Sequence, residues 1–397
     1  MRRVSRGEKK GALDMVIKNA SVYREDGTFS TGDIAMENGV FVSEASDTGE
    51  VLDASGLYAI PGLTDIHFHG CVGHDFCDGT QEAIEAIAAY ELQCGVTTIV
   101  PATMTFSEEI LSGICKAAAA YKAAQRPELG KGAILEGINM EGPFVSMAKK
   151  GAQNPEYIHK PDVAMFQRLQ ELAGGLFRMV DLAPEEEGAM EFIDAMKDQV
   201  TISIAHTVAD YDTAKEAYDR GASHATHLYN AMPPFSHRAP GVIGAACDSP
   251  HVRVELICDG IHLHPATVRT TFKMFGDDRI VLVRDSMMDA GLDDGDYSLG
   301  GQPVKVKGNL ATLADGTIAG SVTNLMDCMR TAVKKMDIPL EKAVKCAAVN
   351  SAKAVGLYDR YGSITPGKVA NLVLLDKELN IQGIYLCGRA VDRTGRH

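Results

Sequence analysis

The sequence predicts an α/β protein: a (β/α)8 barrel of the TIM type, with a small β-sandwich domain assembled from both ends of the chain. Three observations carry that expectation. Short apolar strands alternate with helix-like, Ala-rich stretches through the middle of the chain, the pattern of parallel β/α units. The flanking segments, 13–60 and 365–397, are instead β-like, with Gly, Asp and Asn punctuating short runs. The length, 397 residues, exceeds one small domain and suits a large barrel with an accessory module.

Taken in order, the start (1–12) reads as a solvated basic tail, because no apolar stretch of leader type follows MRRVSRGEKKG. MVIKNASVY, DIAMENGVFV and EVLDASGLYAI supply the first strands of the small domain. The barrel is expected over 61–364. Its eight strands fall in GLYAIPGLTDIHF, GVTTIVPAT, GAILEGINME, LFRMVDLAP, VTISIAH, ASHATHLYN, VRVELICD and RIVLVRD. TQEAIEAIAAYELQC and VADYDTAKEAYDRG are two of the helices between them. An open doubly wound sheet is the competing arrangement, but its glycine-rich phosphate fingerprint is absent. PGKVANLVLLDKELNIQGIYLCGRAV returns to β-like text and completes the small domain.

Composition removes several classes of function. Apolar residues make up 45% and charged residues 23%, so a sizeable core is available. No apolar run approaches the roughly 20 residues of a membrane helix. A net charge of −14 opposes a protein that tracks nucleic-acid phosphates, while leaving room for a small anionic substrate held by local cations. The nine cysteines are odd in number and form no CxxC pair. They read as reduced thiols of a cytoplasmic protein, not as a disulfide framework or a thiolate zinc site.

The chemistry gathers where strands end. Asp65-Ile66-His67-Phe68-His69-Gly70 closes the first, and strand alternation turns His67 and His69 the same way, as a chelating pair. Glu141 ends the third strand, His206 the fifth, His227 the sixth and Asp285 the eighth. Any one of these reads equally well as a satisfied strand-end residue. Convergence of all of them on the functional rim of a barrel argues for a divalent metal site with nitrogen and oxygen donors, suited to zinc, iron, manganese or cobalt. His224 is assigned to support or packing. His74, His159, His251, His264 and His397 have no motif behind them. The turn Asp293-Asp294-Gly295-Asp296 lacks calcium-loop spacing and reads as a solvated loop, and Lys149-Lys150 as a solvated charge pair.

The strings IPGLTDIHFHG, EGPF, AHT, THLYNAM, HRAPG, DGIHLHP and RDSMMDAG, in that order over nearly the whole chain, resemble the N-acetylglucosamine-6-phosphate deacetylases of the amidohydrolase superfamily. The resemblance implies Glu141, His206 and His227 as principal metal ligands, and His67 and His69 as an additional pair that leaves room for a second ion. It implies Asp285 as the catalytic aspartate and His262 as a contact to the sugar and its reacting amide. Asn230, the Ala231 backbone and Arg238 would hold the sugar phosphate. Asp259, Gly260, Ile261, Ile318, Ala319, Gly320 and Ala152 would border the sugar. A homodimer is implied as well, with Arg238 available to the neighbouring subunit's site.

An acetamide is resonance-stabilised and neutral water attacks it poorly, which is the chemical need a Lewis-acidic metal and a general base meet. Two departures from the family pattern stand out. Gln153 occupies a position where the family usually has histidine, and Arg284 replaces a small hydroxyl residue before Asp285. Alternation turns Arg284 away from Asp285, towards the helix layer or its rim. The galactosamine epimer is therefore an alternative substrate. Cyclic-amide hydrolysis of the dihydroorotase type lacks its bridging lysine, and a non-catalytic relative would be expected to have lost ligands that this chain keeps.

Overall fold

The computed structural model describes residues 14–44 and 49–393. The predicted basic tail and His397 lie outside them. Both ends of the described chain enter one eight-stranded sheet. Met15–Tyr23 pairs antiparallel with Phe29–Glu37 and parallel with Glu50–Asp53 and Tyr58–Pro61. Tyr58–Pro61 in turn pairs antiparallel with Leu372–Leu375, and Ile381–Leu386 and Arg389–Ala390 complete the order. Alternation in MVIKNASVY buries Met15 and Ile17, then Ala20 and Val22, across a bulge at which Asn19 takes φ 62°. Those residues, with Ile34, Met36, Phe41, Leu372, Leu374 and Tyr385, form an apolar core separate from the main one.

Between the two ends run the parallel strands. Leu63–Asp65, Val96–Ile99 and Ile134–Leu135 make one sheet. Ile138–Glu141, Phe177–Leu182, Thr201–Ile204, His224–Ala225, Arg253–Ile257 and Ile280–Val283 make a second, all parallel in chain order. The expected third strand is thus split at Glu136-Gly137. Backbone hydrogen bonds link the two sheets at both margins. Asn139 N donates to Pro101 O at 2.9 Å and Thr103 N to Asn139 O at 2.9 Å on one side. Asp285 N donates to His67 O at 3.0 Å and His69 N to Ser286 O at 2.8 Å on the other.

Runs such as Ile280–Val283 are buried at every position, as strands covered on both faces must be. The covering helices begin where capping residues predict. Thr80 caps Gln81–Gln93 by accepting from Ala83 N, and Asp210 caps Tyr211–Arg220 by accepting from Thr213 N. These are the two helices expected from the Ala-rich segments.

One element departs from expectation. The acidic turn, read as a solvated loop, opens a four-stranded antiparallel sheet: Gly295–Leu299, Gln302–Lys307, Leu310–Thr312 and Ile318–Gly320. Asp296 is a strand residue, and the Asp294 carboxylate accepts from Gly308 N across the hairpin. This sheet packs Leu299, Val304, Val306 and Ala311 against Met104, Ala152 and Met287, over the C-terminal ends of the parallel strands.

Candidate metal and substrate site

The loops that follow the parallel strands enclose a cavity of about 490 Å³. Five metal-site candidates and Asp285 meet at its floor, His67 just beneath it, in two groups: His67, His69 and Asp285, and Glu141, His206 and His227. In the second group His206 Nε2 lies 3.0 Å and His227 Nε2 3.3 Å from Glu141 Oε1, and the two nitrogens are 3.1 Å apart. Ligands bound at 2.0–2.1 Å around a tetrahedral ion stand roughly 3.3 Å from one another, so this spacing fits a shared cation. His69 Nε2 lies 3.1 Å from Glu141 Oε2 and 3.3 Å from Asp285 Oδ1. His67 Nε2 lies 3.6 Å from both Glu141 Oε1 and Asp285 Oδ1. Glu141 therefore stands between the groups, with Oε1 towards His206, His227 and His67 and Oε2 towards His69.

The backbone at these positions is unusual. His206, His227 and Asp285 all have left-handed φ (44°, 31° and 49°), where side chains other than glycine are rarely found. Each occupies the first turn away from an extended strand, and the conformation aims the side chain across the strand ends instead of along them. Such residues persist where surrounding structure over-determines them, commonly at functional sites. His67 and His69 lie just beyond the first parallel strand, which stops at Asp65, yet both face the cluster as alternation predicts.

The electrostatics favour a cation. Burial would push Glu141 up, but the charge on His67 and hydrogen bonds from the histidines hold it well below the carboxylate range. Burial likewise acts against Asp285, yet His67 and His69 keep it at about 2. Burial would lower His69, but Asp285 and Glu141 raise it to about 10. The carboxylates create a strongly negative pocket in which imidazoles supply the compensating charge, and a divalent ion answers the same need. His67 Nε2 is buried without a hydrogen-bond partner and faces this pocket, so the residues fit such an ion.

Outer contacts set the ring orientations. Lys149 O accepts from His206 Nδ1 at 2.8 Å, which leaves the Nε2 lone pair towards Glu141. Lys149, expected as part of a solvated pair, is half-buried at the cavity wall because its carbonyl is drawn to His206. Gln153 is 2% exposed; it donates from Nε2 to Glu141 Oε2 at 3.0 Å while accepting from Thr105 N at 2.7 Å. It steadies a candidate ligand, a contact that its sequence context did not suggest. Arg284 points away from Asp285 and is fully buried in the helix layer. Its guanidinium bonds Asp65 at 2.7 Å and also Glu91, and it stacks on Phe68.

The remaining predicted residues divide. Ala152, Asn230, Ala231, His262, Ile318 and Ala319 line the cavity. Asp259, Gly260, Ile261, Gly320 and Arg238 do not. The Asp259 carboxylate turns inward to accept from His262 Nδ1 at 2.7 Å and from the Ile261 and His262 amides, so it orients His262 instead of presenting itself to a sugar. Gly320 packs against the Asp285 carbonyl. Asn230 Nδ2 is taken by the carbonyls of His227 and Leu228. Arg238 is exposed, with no side-chain hydrogen bond or ion pair to the described residues. Thr317, Met104 and Gly151 line the cavity without having been singled out, as none belongs to a reactive motif. Glu255, missed as well, lies beneath the cluster. A larger cleft of about 610 Å³ beside the terminal sheet includes Lys18 and Arg24 but brings together no ligand set among the described residues.

Fold and site together define a hydrolase-type centre at the carboxyl ends of parallel strands, and the amidohydrolase family model matches residues 58–391. The chain belongs to the amidohydrolase family. It is 37% identical to an N-acetylglucosamine-6-phosphate deacetylase of Bacillus subtilis over 93% of this chain and 95% of the relative. It is 31% identical to an N-acetylgalactosamine-6-phosphate deacetylase of Escherichia coli O157:H7 over 94% and 98%. A solved Mycobacterium smegmatis N-acetyl-D-glucosamine-6-phosphate deacetylase, crystallised with N-acetyl-D-glucosamine-6-phosphate, superimposes with a TM-score of 0.88. It is 31% identical, with 96% of this chain and 99% of that one covered.

Proposed function

We propose that this chain is an enzyme that hydrolyses the acetamide of N-acetylglucosamine 6-phosphate to glucosamine 6-phosphate and acetate. The observation that carries the reading is the meeting of Glu141, His206 and His227 with Asp285 at the floor of one cavity of substrate size. The curated relatives, named for this reaction, support it. Glu141, His206 and His227 would hold one divalent ion and His67 and His69 a second, drawn from zinc, iron, manganese or cobalt. Bound there, a metal supplies Lewis acidity, which activates water and polarises an amide carbonyl.

The chain's own groups do the rest. Asp285, ionised at neutral pH, accepts a proton from the attacking water and returns it to the departing amine. His262, proton-bearing on Nδ1 towards Asp259, presents Nε2 to the cavity and in its cationic form donates to the carbonyl oxygen as charge develops there. Ala152, Ile318 and Ala319 flank the sugar. The free Ala231 amide and Arg238 receive the phosphate, and Asn230 joins them by turning one Nδ2 hydrogen away from Leu228 O, the longer of its two bonds at 3.4 Å. Arg238 lies outside the cavity of its own chain, which supports a homodimer in which it reaches the neighbouring site. Asp285→Asn tests the mechanism: acetate release should fall at least about 10²-fold with metal content unchanged. Near-normal turnover would remove Asp285 from the role.

The galactosamine epimer is the second reading, favoured by the Escherichia coli relative. Acetate release from the two 6-phosphates and an unphosphorylated control, side by side, decides between them. The rest of the reading follows the same line. The bonds at both sheet margins support one closed eight-stranded barrel, spanning 61–364. The separate apolar core supports a small β-sandwich domain from 13–60 and 365–397. Nine unpaired cysteines, and no helix among the described residues long and apolar enough to cross a membrane, support a cytoplasmic enzyme.

A further inference from the structure

Beneath the metal cluster and out of contact with the cavity, Glu255 is fully buried on the seventh parallel strand, Arg253–Ile257. Its carboxylate gathers three donors from two other segments of the chain. His67 Nδ1 lies 2.8 Å from Oε2, the main-chain nitrogen of His227 3.0 Å from the same oxygen, and His224 Nε2 3.1 Å from Oε1. An ionised carboxylate only accepts hydrogen bonds. It therefore dictates which nitrogen of His67 keeps its proton when a cation takes the place of the other: Nδ1–H points down to Glu255, and Nε2 points up between Glu141 and Asp285. The same oxygen holds the amide of His227, whose left-handed φ of 31° depends on outside restraint.

We infer that Glu255 is a positioning residue for both halves of the metal centre, fixing the tautomer of His67 through its ring and the aim of His227 through its backbone. The inference rests on the reading of these histidines as metal ligands. Buried carboxylates that accept from ligating imidazoles raise ligand basicity and restrict ring rotation, and losing one costs about 10–100-fold in metal affinity. Glutamine at the position satisfies the pattern poorly. Its amide oxygen can keep His67 and the His227 amide, but its NH2 then faces His224 Nε2, which can accept only by moving the His224 proton to Nδ1, a buried atom with no partner among the described residues.

The test is titration of metal-free protein with Co(II), read by visible absorption and by the rise in melting temperature on metal addition. Glu255→Gln should weaken Co(II) binding about 10–100-fold and change the absorption envelope. Glu255→Asp should recover part of the loss. His224→Phe, which leaves the His67 and His227 bonds in place, should bind Co(II) nearly as native protein does. If Glu255→Gln does not fold, nitrogen NMR of native protein decides, with His67 protonated on Nδ1 as the expected result and on Nε2 as the overturning one. Wild-type affinity and spectrum in Glu255→Gln would overturn the inference alone. Native protein that takes up no Co(II) would overturn the metal reading and this inference with it.

Discussion

Asp259 and His262 show how a single contact reassigns a residue. Burial would lower His262, but the hydrogen bond to Asp259 and the charges of Asp259 and Asp285 outweigh it and hold the imidazole above its usual range. Asp259→Asn withdraws one of those charges, so His262 gives up its proton at lower pH. Donation from Nε2 requires the cation, and the alkaline limb of kcat/KM should move towards acid. Above that limb, kcat should approach the roughly 10²–10³-fold loss seen when one oxyanion donor is removed. A limb that stays in place would separate His262 from proton donation. The donors at Glu141, His206, His227 and Asp285 were legible because each interrupts an apolar run where a strand stops. Glu255 was not. It is one acid among apolar neighbours in VRVELICD, and its partners His67 and His224 are far away in the chain. Gln153 and Asp259 sit in recognisable strings, but strings do not reveal which way a side chain turns.

At the scale of elements, the parallel strands and their helices followed from apolar runs and caps, while the sheet of Gly295–Gly320 went unread. Its signal was present: Gly300-Gly301, Gly308-Asn309 and Asp315-Gly316 are hairpin turn pairs between alternating strands. The polar, solvent-facing residues of DYSLGGQPVKVKG obscured it, since that face covers no core. The sheet matters because it delivers Ile318 and Ala319 to the cavity wall and Gly320 to the back of Asp285. Ser321 N donates to Asp285 O at 2.8 Å there. A Cβ on Gly320 would stand 2.9 Å from that carbonyl oxygen and 2.8 Å from Met287 Cγ. Gly320→Ala should therefore displace Asp285, lowering kcat about tenfold or more and stability by about 1–3 kcal/mol. Equal kcat and melting temperature in the two proteins would show that this seam opens freely.

For the whole molecule, the placement of Arg238 outside its own cavity makes a prediction about assembly. Two inactive variants, Arg238→Ala and Asp285→Asn, should restore about a quarter of native activity when subunits are mixed and exchanged in equal amounts, because each mixed dimer regains one complete site. No recovery after verified exchange would place Arg238 in its own subunit's service, or in none. The terminal sheet has a consequence of another kind. Tyr58–Pro61 pairs on one side with Met15–Tyr23, but its other edge meets Leu372–Leu375, some three hundred positions later. On a ribosome, then, the early strands emerge long before the segment that completes their pairing, and must wait with one edge open while the middle of the polypeptide is made. Maturation of the small sheet then becomes a late event of biogenesis, and loss of either Met15–Tyr23 or Leu372–Leu375 removes strands from the same structure.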